Sequence, residues 1–118
     1  MNQILNQRLM MAMALYYDVL DVVAEMLRKY APALGLMTPG LPEQLAVPNG
    51  VAITDSGVPL YYVAVKRRNE QFRSPMAFGR AVQEALEATC YANCLPPLVL
   101  LRVEQLPGGF VGLTLGSW

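Results

Sequence analysis

The sequence predicts an α+β domain in the order α-ββ-α-ββ: a four-stranded, mainly antiparallel sheet packed with two helices. Three observations predict it. Good helix formers run from residue 3 to residue 31 without a Gly or Pro. Apolar segments of period two then come in pairs, each pair joined by a glycine turn, Asp55-Ser56-Gly57 and Pro107-Gly108-Gly109. Between the pairs, Ser74-Pro75 supplies an N-cap and a first-turn proline for a second helix.

The first helix is expected over residues 3–33, a rod about 45 Å long at ~1.5 Å per residue. Its second half is amphipathic. Asp18, Asp21, Glu25, Arg28 and Lys29 share one side, and Leu20, Val23, Leu27 and Tyr30 the other. Its first half is not. Carried backwards, the polar side passes through Ala14, Met11 and Met10 before reaching Gln7 and Gln3, while Leu9, Met13, Tyr16 and Tyr17 fill the remaining directions. A helix apolar all round must be enclosed, either by the chain's own sheet and the 34–50 segment or by another chain, and a small domain can hardly wrap so long a rod. Methionine suits adaptable contact surfaces. Leu9, Met10, Met11, Met13, Ala14 and Tyr17 are therefore the candidate interface for self-association, most simply a two-fold dimer, or for another protein.

Residues 34–50 hold Pro39, Pro42 and Pro48 with Gly35, Gly40 and Gly50, and read as a connector without regular structure. A ββαββ unit over 51–118 completes a single domain. Its strands are expected at 51–54, 58–67, 98–104 and 110–115. Tyr61, Val63 and Val65 oppose Leu60, Tyr62 and Ala64, so the second strand has two apolar faces and should be central or covered on both sides. Val99, Leu101 and Val103 alternate against Arg102 and Glu104, and Val111, Leu113 and Leu115 face inward. The second helix runs to about Asn93, with Phe78, Val82, Leu86, Cys90 and Cys94 as an apolar stripe and Arg80, Gln83, Glu84 and Glu87 as its wet side. This order resembles a permuted ferredoxin-like sheet built from two αββ units, and also the start of a roadblock- or longin-like fold. The resemblance lies in element order alone, and fold does not imply function.

Composition narrows the function classes. Hydrophobic residues make up 54% of the 118 and charged residues only 15%, which excludes global disorder and requires the chain either to bury almost all its apolar surface or to share some with a partner. Nine basic residues balance nine acidic ones, so a globally basic nucleic-acid binder is not indicated and self-association is weakly opposed. The longest apolar run, Leu9–Tyr17, is far short of the ~20 residues that span a bilayer, and Asp18 and Asp21 follow it without a cleavage pattern. A cytoplasmic protein without membrane contact is the expectation.

No enzyme is expected. With no histidine there is no imidazole base and no Ser-His or Cys-His pair. Gly108-Gly109 lies between strands rather than before a helix that could hold phosphate. Cys90 and Cys94 lack the spacing of redox or zinc motifs and read as buried, reduced hydrophobes. The acidic pairs Asp18/Asp21 and Glu84/Glu87 read as solvated helix faces rather than metal sites. No catalytic, cofactor or metal residues are assigned. The basic segment is the alternative feature. Lys66, Arg67, Arg68, Arg73 and Arg80 lie beside Tyr61, Tyr62 and Phe72, a combination that suits a nucleic acid or an acidic partner. The same charges also serve to keep a strand end soluble.

Overall fold

The computed structural model describes residues 3–68 and 74–118. Its elements are α1 (Gln3–Leu34), β1 (Ala46–Ile53), β2 (Pro59–Lys66), α2 (Pro75–Ala92), β3 (Val99–Leu106) and β4 (Phe110–Gly116), the predicted α-ββ-α-ββ order. The strands pair antiparallel throughout in the order β1-β2-β4-β3. Exchanging the two αββ units leaves that order unchanged, as two copies of one unit require. The central strands are β2 and β4, the second strand of each hairpin.

Strand alternation decides which face the helices cover. Tyr61, Val63 and Val65 stand opposite Leu115, Leu113 and Val111, and all six are buried in one core with α1 and α2. Val19, Leu20, Val23, Met26 and Leu27 supply that core from α1, and Val82, Leu86 and Cys90 from α2. The opposite face of these strands carries Tyr62, Ala64, Lys66 and Phe110, which neither helix covers. The two-faced apolar pattern of β2 thus marks a central strand.

Both helices end in the same way. Leu36 N–H returns to Ala31 C=O (3.0 Å) and Gly35 N–H to Pro32 C=O (3.3 Å), closing α1 with Gly35 at φ +68°. Leu95 N–H returns to Cys90 C=O (2.9 Å) and Cys94 N–H to Tyr91 C=O (3.2 Å), closing α2 with Cys94 at φ +55°. Cysteine occupies the left-handed position that glycine takes in α1. This ending corrects the expectation that Cys94 continues the buried stripe: Cys90 is buried and Cys94 is exposed. The start of α2 is as expected, with Ser74 Oγ accepting from Ala77 N–H (3.3 Å).

Two strands differ from the sequence reading, β1 in where it starts and β3 in its alternation. The connector is partly regular: a 3₁₀ turn spans Pro42–Leu45, and β1 begins at Ala46 rather than Val51. Pro48 is tolerated because β1 is an edge strand and is strongly bulged there. Ala46 lies opposite Val63 and Val51 opposite Tyr61, leaving Val47–Gly50 against Tyr62 alone. The Tyr16 hydroxyl enters this bulge, donating to Tyr62 C=O (2.6 Å) and accepting from Val47 N–H (3.2 Å). Gly50 permits the approach, since a Cβ there would overlap the Tyr16 hydroxyl. In β3 a second bulge between Leu100 and Arg102 breaks the simple alternation. Leu100 and Val103 face α2 at Gly79, whereas Leu101 lies over Gly116 on the other face and is exposed.

Candidate self-association surface

α1 is longer than the sheet beneath it. Its buried stripe begins at Ala12 and continues through Tyr16, Val19, Leu20, Val23 and Leu27. Residues 3–11 are all exposed, and Arg8 Nη1 reaches the β1–β2 turn at Gly57 C=O (3.4 Å). The result is an overhang whose apolar side chains meet water. Ile4 is 64% exposed, Met10 69%, Met11 66%, Met13 53% and Tyr17 65%. Ala14 is exposed among them. Leu9 differs from the other candidates, since it sits on the sheet side of the helix at only 36%. The structure thus brings the six candidate residues onto one continuous segment that the chain itself does not enclose. Ile4 and Leu5 belong to the same surface. Their signal was the same all-round apolarity one turn earlier.

An apolar groove continues from this segment along α1. Leu15 and Val22 line it from α1, and Leu95, Pro96 and Trp118 from the end of α2 and the C-terminal residues; its volume is about 920 Å³. Asp18, Asp21, Glu25 and Arg28 are its charged lining, an excess of acid over base. Trp118 is held by its indole N–H to Pro96 C=O (2.8 Å), and Asn93 donates to Glu25 Oε2 (2.7 Å). Among the described residues the one salt bridge is Arg102–Glu104 (3.6 Å), so no described cation lies at ion-pair distance from Asp18, Asp21 or Glu25. Sequence reading missed the groove because Leu15, Val22, Leu95 and Trp118 meet only in the folded chain.

The basic residues are placed by the end of β2. Lys66 lies on the sheet face turned away from the helices, beside the 37–45 segment, with its ammonium 5.2 Å from the centre of the Phe110 ring. Strand alternation turns Arg67 to the other side, where it is half-buried, its N–H donating to Gly109 C=O (2.8 Å). Arg68 is exposed and its N–H donates to Gly35 C=O (2.9 Å); Arg80 is exposed on α2. Arg73 and the 69–73 loop lie outside the described residues.

The α2 side expected to be wet is exposed at Arg80, Glu84 and Glu87, with one correction. Gln83 is half-buried and clamps the start of β3, accepting from Leu100 N–H (2.6 Å) and donating to Leu98 C=O (3.1 Å). A side-chain amide thereby occupies backbone groups of an edge strand. Two phenols are perturbed. Tyr16 and Tyr61 stack at 6.4 Å, and burial raises the pKa of each above 10.0, the Val47 N–H opposing this at Tyr16. Among the described residues no group of three acidic, Cys or His side chains is placed to hold a metal ion, and no helix is long and apolar enough to cross a membrane.

Comparison of the chain with family models, curated proteins and solved structures finds no match in any of the three.

Proposed function

We propose that the chain is a non-catalytic assembly module that self-associates through the N-terminal turns of α1. The observation that carries this reading is the set of exposed side chains between Ile4 and Tyr17, most of them large and apolar. Fully burying one such side chain yields about 1.5–3 kcal/mol, so several together can drive association. Zero net charge opposes it little. The two free thiols fit a reducing, cytoplasmic setting.

The test is sedimentation or light scattering at tens of micromolar, around the dissociation constants of weak dimers. The wild-type chain is expected to be a dimer or larger. Met11→Glu with Ala14→Glu should give monomers with an unchanged circular dichroism spectrum. A monomeric wild type at that concentration refutes the proposal.

Nucleic acid is the alternative ligand, supported by Lys66 beside Phe110 on the sheet face turned away from both helices, which also holds Tyr62. Cations beside aromatic rings suit unpaired bases. Fluorescent single-stranded DNA or RNA should then bind at low salt and be released as salt rises, with Lys66→Glu plus Arg68→Glu, both exposed, abolishing binding. No binding at low salt removes this alternative.

A further inference from the structure

We infer that two copies pair through α1 in antiparallel fashion, crossing at Ala14, with the first turns of each helix seated along the acidic groove of the other. The inference rests on the self-association proposed above and specifies its partner surface.

The exposed side of α1 carries a seam. Gln3, Gln7, Met10, Ala14, Tyr17 and Asp21 recur at alternating steps of four and three residues, and all are exposed. This is the spacing along which two helices interdigitate. Ala14 lies near its middle, and a methyl side chain there lets the helix axes come within about 8–10 Å.

Charge decides the direction. Arg8 is the only charged side chain from Gln3 to Tyr17, and Asp18, Asp21 and Glu25 follow as the next three. A parallel pair would set these carboxylates level with their own copies, where like charges repel. An antiparallel pair about Ala14 sets each residue level with the one equally far from Ala14 on the second copy. Asp21 then meets Gln7, Glu25 meets Gln3, and Tyr17 meets Met11. The amides donate to the carboxylates, and the positive N-terminal end of each helix lies towards Asp21 and Glu25 of the other, whose acid outweighs the single Arg28 of that groove.

The groove completes the fit. Under the two-fold axis, matching flanks of the two helices adjoin. The flank bearing Ile4 and Met11 on one copy therefore meets the flank bearing Leu15, Asp18 and Val22 on the other, beside Leu95 and Trp118. Apolar side chains that stand in water on one copy reach an apolar groove on its partner. A lipid surface suits the segment less, because helices that bind one are rich in Lys and Arg on their polar side, and residues 3–17 hold a single Arg.

The experiment is disulfide mapping in a Cys94→Ser background, with Cys90 retained because it is buried. Gln7→Cys and Asp21→Cys are introduced singly into chains carrying tags of different size. The chains are mixed and mildly oxidised, and each is checked for folding by circular dichroism. Cross-links form only where Cα atoms lie within about 7 Å. The Gln7→Cys with Asp21→Cys mixture should give the mixed disulfide in at least ~10-fold excess over either self-disulfide, the separation that ~1.4 kcal/mol of preference would give. Ala14→Cys alone should cross-link to itself. Self-disulfides at Gln7→Cys and Asp21→Cys would establish the parallel pair and overturn the inference. So would the absence of all three cross-links in a protein that sediments as a dimer, with the self-association proposal left standing. A wild-type monomer overturns both.

Discussion

Tyr16→Phe should destabilise the protein without disturbing its apolar core. The hydroxyl accepts from Val47 N–H at 3.2 Å and donates to Tyr62 C=O at 2.6 Å. These two groups lie where the β1 bulge sets Val47–Gly50 against Tyr62 alone, so the strand ladder does not satisfy them. Phenylalanine keeps the ring and its stack on Tyr61, and the loss is therefore of polar origin. A buried backbone group without a partner costs about 1–3 kcal/mol. Two such groups, partly reached by water, place the cost at about 2–3 kcal/mol. In a domain of this size that lowers Tm by roughly 10 °C. Urea denaturation measures the loss, and hydrogen exchange at the Val47 amide locates it. A cost below ~0.5 kcal/mol with the Val47 amide still protected would refute the role assigned to the hydroxyl. The variant also changes the response to alkali. Burial raises the Tyr16 and Tyr61 phenols above 10.0, so the folded chain favours their neutral forms. Stability is intact below pH 10 and falls as pH rises through the folded-state values, because the unfolded chain releases these protons first. Tyr16→Phe should make that alkaline decline shallower, with Tyr61 sustaining the remainder.

Cys94→Gly should stabilise the chain by about 0.5–1 kcal/mol in a urea titration, because glycine takes the left-handed conformation at the end of α2 without steric cost. A thiol reagent should label Cys94 in the native protein and Cys90 only after denaturation; native labelling of both would contradict the burial of Cys90. Gln83→Ala should cost about 1–2 kcal/mol and speed exchange of the Leu100 amide, since the clamp on Leu98 and Leu100 is lost. An unchanged Leu100 exchange rate would show that the clamp holds nothing.

Element type and order were legible because their signals are local. The helix propensity of residues 3–31, the Ser74-Pro75 start of α2, the two glycine turns and the period of β2 and β4 each act over a few neighbouring residues. The all-round apolarity of early α1 was legible for the same reason. Whether the sheet would cover it was not. That depended on where packing begins along the rod, and tertiary structure sets this at Ala12. The places where sequence reading failed share one cause. β1 starts early because Tyr16, distant in sequence, serves the bulge that Pro48 and Gly50 occupy. Gln83 turns from water because Leu98 and Leu100 stand beside it. Cys94 leaves the helical stripe because the end of α2 turns back at Cys90 and Tyr91 before reaching it. Propensity and periodicity describe what a segment prefers alone. Bulges, clamps and grooves arise from unpaired backbone and apolar groups on separate segments, which acquire each other as partners only once the chain has closed.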